Sequence, residues 1–205
     1  MYKIGIDFSI NKPAAIVAAE DGYKYFIWPH GISENNRELF RSLGINVIKR
    51  NDEKLGDANL SMKKRWEIKN SQYLSELMFH TLEKYLNADT EVAFEGSSYG
   101  SSGNVILQLA MYSHDLMGML CKKIYLENLY VYAPQTLKKV AGCSKEKKKG
   151  KEPMILAYAK KEHTEELAKT ILENPLKIKK KGGKSWVDGL DDIIDSYWAL
   201  KCLNQ

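Results

Sequence analysis

The chain has 205 residues, enough for one large domain with a substantial core, and its 44% hydrophobic and 28% charged content is that of an ordinary globular protein. No run approaches the roughly 18 consecutive apolar residues of a membrane span, and no signal-peptide core precedes a cleavage site, so neither a membrane nor a secretory route is expected. The three cysteines, Cys121, Cys143 and Cys202, are odd in number and widely spaced, which excludes a disulfide framework and a paired-cysteine zinc site and points to the reducing cytoplasm.

In chain order, Tyr2–Phe8 alternates apolar Tyr2, Ile4 and Ile6 with Lys3, Gly5 and Asp7, and then meets a turn at Ser9–Pro13. It reads as a strand with Asp7 at its C-terminal end. Ala14–Ala19 and Tyr23–Trp28 follow, separated by the hairpin turn Glu20-Asp21-Gly22, so three antiparallel strands open the chain. Ser33 caps a short helix to Leu43, and Ile45–Lys49 is a further strand. Asp52–Lys69 is polar and has no assignable period. From Ser71 to Leu86 the residues Leu74, Leu77, Met78, Leu82, Tyr85 and Leu86 recur at helical spacing. Glu91–Phe94 is a short strand that ends on Glu95. The turn GSSYGSSG then leads into a long helix over 104–123.

Leu129–Ala133 is another strand, and Pro134 suits the first position of a helix to Val140. Helical segments run from Pro153 to Glu173, interrupted by Asn174-Pro175, and a last helix covers Gly189–Leu203. Two lysine-rich loops, near 142–152 and 177–187, hold ten of the 31 basic residues: Lys145, Lys147, Lys148, Lys149 and Lys151 in one, Lys177, Lys179, Lys180, Lys181 and Lys184 in the other. Pliant loops of this charge, in a chain of net charge +5, fit contact with a polyanion. The predicted architecture is one α/β domain over 1–205: a mixed sheet, three antiparallel strands then parallel ones, flanked by helices.

Acidic residues crowd the final helix in GLDDIIDSYWAL. Asp192 and Asp195 (i, i+3) share a face, as do Asp191 and Asp195 (i, i+4), and like charges so placed repel. Acids in a first helical turn also favour the macrodipole, with Asp188 as a candidate N-cap. However, Asp7 and Glu95 each terminate a buried apolar run, where an unpartnered carboxylate is costly. Carboxylates from two strand ends and a helix suit divalent metal and hydrolysis of a phosphodiester, in which a pair of Mg²⁺ ions about 4 Å apart activates water and stabilises the leaving alkoxide. No other metal, serine-nucleophile or nucleotide-binding loop signature competes: His30, His80, His114 and His163 are scattered, and GSSYGSSGN lacks the lysine of a phosphate-binding loop.

The segments IGIDFS with AAIVA, AFEGSSYGSSGN, APQTLKKVAG with KGKEPMI, and DDIIDSYWAL, in that order, resemble the RuvC-type Holliday-junction resolvases of the ribonuclease H-like superfamily, its phage members most closely. The resemblance spans most of the chain and leaves 49–69 unexplained. It implies a ribonuclease H-like fold and a homodimeric endonuclease that resolves four-way DNA junctions. It further implies that Asp7, Glu95, Asp192 and Asp195 bind two Mg²⁺ (or Mn²⁺) ions, with Asp191 as the alternative to its neighbour Asp192. Lys138, Lys139, Lys147, Lys148, Lys149 and Lys151 would contact DNA, and Tyr99 takes the place of an aromatic directed at the junction centre. DFSINKP departs from the family's usual DPG turn, and the first basic loop has more lysine than the family's. Other branched DNA, flaps or RNA–DNA hybrid are alternative substrates. A sugar- or acetate-kinase fragment, which also opens on such a strand, lacks its second phosphate-binding glycine motif here, and a purely DNA-binding module would not account for the carboxylates.

Overall fold

Side-chain alternation in the central strands decides what faces each layer of helices. A computed structural model of the protein describes residues 1–52, 59–96, 103–144 and 151–205, with the backbone alone over 103–109 and at 111. In β1 (Lys3–Asp7), Ile4 and Ile6 enter one core, while Gly5 and Asp7 lie on the opposite face. β2 (Ala14–Ala19) and β3 (Gly22–Ile27) continue as an antiparallel meander, with Ala14, Ile16, Tyr25 and Ile27 on the second face. β4 (Ile45–Val47), β5 (Glu91–Glu95) and β6 (Leu129–Tyr132) complete a six-stranded sheet in the order β4-β3-β2-β1-β5-β6. β4 pairs parallel to β3, β5 to β1 and β6 to β5, so every strand except β2 runs in one direction. The C-terminal ends of β1 and β5 therefore share one edge, and the Ile6–Phe94 pairing brings out Asp7 and Glu95 side by side.

Two helices cover the first face: α2 (Leu60–Leu82) and α3 (Gly103–Leu120), packing Leu74, Met78, Leu82, Leu116 and Leu120 on Ile4, Ile6, Val92 and Phe94. The other face carries α1 (Glu34–Ser42), α4 (Pro134–Val140), α5 (Glu152–Lys161), α6 (Glu166–Glu173) and, innermost, α7 (Leu190–Cys202). Ten of the 13 residues of α7 are buried, so it is a central helix with no broad solvent face. It reaches the sheet because β1 and β5 present Gly5 and Ala93 there. A Cβ on Gly5 would lie 2.0 Å from the Ser196 carbonyl oxygen and 2.5 Å from the Leu200 nitrogen.

The meander, the helix after Ser33, the strand ending on Glu95 and the helix at Pro134 form as expected, and the Ser33 hydroxyl caps α1 by accepting from the Asn36 amide. Three details differ. The stretch without a period is, from Leu60, the first half of α2, with Asn59 accepting from the Met62 amide at 3.0 Å. That half projects past the core with Leu60, Met62 and Ile68 exposed, so no amphipathic stripe marks it in the sequence. The helix also stops at Leu82, with a single 3₁₀ turn at Glu83–Tyr85 in place of its expected last turn. Finally, Asp188 is not the cap of α7: Gly189 is, at φ +95°, and Asp188 instead pairs with Lys180 at 2.7 Å. No helix among the described residues is long and apolar enough to cross a membrane.

Arg50 fixes the turn that follows β1. Its Nη1 donates to the carbonyls of Ile10 (2.9 Å), Asn11 (3.2 Å) and Trp28 (3.2 Å), and its Nη2 meets Asp52 at 2.5 Å, both side chains being buried. Arg50→Ala removes the side-chain donor to the Ile10 and Trp28 carbonyls and leaves Asp52 with only the His30 imidazole at 3.1 Å among the described residues, and should cost about 3 kcal/mol in urea denaturation. Arg50→Lys should recover little of that, because an ammonium has no planar fork to span these acceptors.

Candidate active site

Asp7 and Glu95 arrive from strand ends and Asp195 from the second turn of α7, each for a local reason. Asp7 follows Gly5 by two residues and Glu95 follows Ala93 by two, so both share the α7 face with the small residues that admit the helix. Asp195 sits on the inward side of α7 with Trp198, Ala199 and Cys202, as expected from the spacing. The carboxylates of Asp7, Glu95 and Asp195 offer oxygens that all lie within 4.8 Å of one another, the one group of that kind among the described residues.

Three acids this close in a half-dry setting resist carrying three charges. Burial pushes the Asp7 carboxyl well above the usual carboxylate range, and Glu95 and Asp192 push it further, against the pull of Lys151. Glu95 is also raised by burial, while Lys151 and a hydrogen bond with Asp7 hold it back. Burial thus favours the protonated form at both, most strongly at Asp7. Lys151, the residue preceding α5, supplies positive charge: its ammonium contacts Asp195 and lies 4.0 Å from Glu95. α5 is itself held against α7 by the Trp198 indole, which donates to the Met154 carbonyl at 3.1 Å, and by Glu162, which meets Lys201 at 3.1 Å.

Asp192 and Asp191 lie beside this group rather than within it. Burial, and then Asp191, push Asp192 up to about 7, while the Ser9 hydroxyl, Lys12 and Lys151 oppose the shift. Ser9 Oγ in turn accepts from the Lys12 amide at 3.0 Å, so the turn after β1 is built around the contact. Sequence reasoning does not single out Ser9 and Lys12, which look like ordinary turn residues; their position two and five places after Asp7 is the signal that was present. Lys138 and Lys139 are exposed on α4, and Lys138 is near enough to draw Glu95 downward. Tyr99, Lys147, Lys148 and Lys149 lie outside the described residues.

The donor set fits a hard divalent cation. Its ligands are all carboxylate oxygens, the chemistry of Mg²⁺ and Mn²⁺ rather than zinc. Asp195 Oδ1 is also buried with no hydrogen-bond partner among the described residues, an arrangement that costs free energy unless a cation meets it.

The mixed sheet, with its antiparallel opening, parallel continuation and helices on both faces, is a ribonuclease H-like α/β fold. Among solved structures, "T. thermophilus RuvC in complex with Holliday junction substrate" is similar, with a TM-score of 0.50 and 14% identity over 98% of this chain and 91% of that one. The "Thermus thermophilus RuvC structure" aligns likewise, with a TM-score of 0.50 and 15% identity over 98% and 92% of the two chains. At such identity the likeness is one of fold. No protein-family model and no curated protein sequence matches the chain.

Proposed function

We propose that this protein is a metal-dependent, structure-selective endodeoxyribonuclease that resolves four-way DNA junctions by symmetric phosphodiester hydrolysis, as a homodimer. The observation that carries the reading is the convergence of Asp7, Glu95 and Asp195 within 4.8 Å, with a buried Asp195 oxygen that has no hydrogen-bond partner among the described residues. The RuvC-like fold supports the choice of substrate, as does the Holliday junction held by the first of the two similar RuvC structures.

Asp7, Glu95 and Asp195 would hold one Mg²⁺ (or Mn²⁺), and a second ion would draw on Asp192 and Asp191 beside them. The bound ions would supply a water that is nucleophilic near neutral pH and charge stabilisation for the leaving oxygen. Asp7 would serve as a ligand in its ionised form, the charge of the cation offsetting the burial and the neighbouring acids that raise its carboxyl. Lys151 leaves Asp195 and turns its ammonium to the phosphate being cleaved, while Lys138 and Lys139 on the adjacent helix meet the flanking backbone. Lys147, Lys148, Lys149 and Tyr99 extend that DNA surface. No nucleotide cofactor enters the reaction.

The test is a cleavage panel of four-way junction, flap, linear duplex and RNA–DNA hybrid with Mg²⁺ or Mn²⁺. Paired nicks on opposite strands of the junction are expected, with little product from linear duplex. Equal cleavage of hybrid and junction would favour a ribonuclease H-like enzyme of other specificity. Absence of divalent-dependent cleavage on all four would refute the nuclease reading.

A further inference from the structure

The second lysine run folds into something more particular than a charged loop. After a 3₁₀ turn at Pro175–Ile178, Lys179 pairs with Trp186 in an antiparallel bridge, and the Lys180 amide donates to the Ser185 carbonyl at 2.7 Å. This hairpin forms one wall of a cleft of about 400 Å³ whose opposite wall includes Lys151, Ile155 and Asp191. Lys151 and Asp191 also border the acidic site, so the cleft and the site adjoin.

Two of its lysines, Lys179 and Lys180, are held at fixed places. The Lys179 ammonium lies 4.6 Å above the centre of the Trp186 ring and 3.9 Å from Glu152. Lys180 rests on Asp188 at 2.7 Å, and Lys184 has no acidic partner among the described residues. Trp186, half-buried, gives the cleft an apolar face between the charges, while Ile155 and Val187 are buried in its lining. Ammonium groups beside an aromatic face match a nucleotide unit, with its phosphate on the lysines and its sugar and base against Trp186. The volume is in the range of small-ligand sites and exceeds what a bare phosphate fills.

We propose that this cleft is a subsite for one nucleotide of the strand being cut, next to the phosphodiester that meets the carboxylates. Lys180 and Lys184 receive its phosphate, and Trp186 positions the Lys179 charge beside it. The subsite rests on the nuclease reading for its place in the reaction, yet it can be measured without catalysis. The probe is a short fluorescent single-stranded oligodeoxynucleotide, titrated in chelator so that nothing is cleaved.

Lys184→Gln, which breaks no ion pair among the described residues, should weaken binding several-fold, and Lys180→Gln/Lys184→Gln by about tenfold. The slope of log affinity against log salt should become shallower by about 0.7 for each lysine removed, as expected for a single strand. Trp186→Ala should weaken binding and Trp186→Phe should restore part of it, because a phenyl face still holds an ammonium. Unchanged affinity and salt slope in Lys184→Gln, in a protein that cleaves DNA normally, would overturn the subsite and leave the nuclease reading intact. Wild-type protein that binds the oligonucleotide with the expected lysine dependence but cleaves nothing would overturn the nuclease reading and keep the subsite.

Discussion

Gly5→Ala should leave little folded protein. The new methyl carbon would sit 2.0 Å from the Ser196 carbonyl oxygen and 2.7 Å from Leu200 Cβ, far inside van der Waals contact. Neither neighbour is the free end of a flexible side chain. One is backbone in the middle of α7, and that helix is locked in the core by its own buried Ile193, Ile194, Tyr197 and Trp198. Relief therefore requires α7 to lift away from β1 by more than an ångström, opening the core along its length. Overpacking a core by one methyl usually costs 1–3 kcal/mol, and here the loss should exceed about 4 kcal/mol, because backbone and not a rotamer must move. The measurement is the urea midpoint of whatever soluble protein is recovered. A variant within about 1 kcal/mol of wild type would show that α7 does not approach β1 this closely. The carboxylates would then not converge as described.

Asp7→Asn should abolish cleavage and, in the absence of divalent metal, make the protein more stable at pH 8. The loss of activity should be at least about a thousandfold, roughly 4 kcal/mol of barrier at 1.36 kcal/mol per decade. The gain in stability follows from the raised carboxyl of Asp7. Its carboxyl is raised in the folded state by burial and by Glu95 and Asp192, so ionising it near neutral pH works against the fold. An asparagine amide has the shape of the protonated acid and can still donate to Glu95, with no charge to lose.

A raised carboxyl binds more protons folded than unfolded, so its contribution is complete below the unfolded value and fades as pH rises towards the folded one. For Asp192 that window runs from 3.8 to about 7. Metal-free wild type should accordingly lose roughly 2–4 kcal/mol between pH 5 and 8. Asp7→Asn should show a flatter profile, and Mg²⁺ should restore the wild type at pH 8 by binding the folded state. Equal stability of wild type and Asp7→Asn in chelator at pH 8 would contradict this account of the cluster.

The parts of the site that were legible in the sequence are those that a two- or four-residue period carries. Asp7 and Glu95 follow apolar alternation to a strand end, and Asp195 falls on the stripe of Trp198 and Cys202. What was not legible depends on contacts between distant segments. Asp191 and Asp192 are adjacent on one helix, and spacing does not separate them. In the structure the Ser9 hydroxyl singles out Asp192, and Ser9 comes from the far end of the chain. The start of α2 was hidden because its first turns have no core to face. The cleft beside the site was hidden for another reason: ten lysines in two loops look alike until a bridge between Lys179 and Trp186 gives one loop a shape.

The close approach of Gly5 to Ser196 also has a consequence in time. These residues are 191 positions apart (196 − 5), so the first strand and the last helix meet only when nearly all of the chain is available. During synthesis β1 and β5 can pair while the face that α7 will cover is still bare, and contacts of such sequence separation form late. Asp195 travels on that late-arriving helix. A growing or prematurely halted chain therefore holds at most two of the three acids in place, and the carboxylate cluster is complete only with the closing of the core.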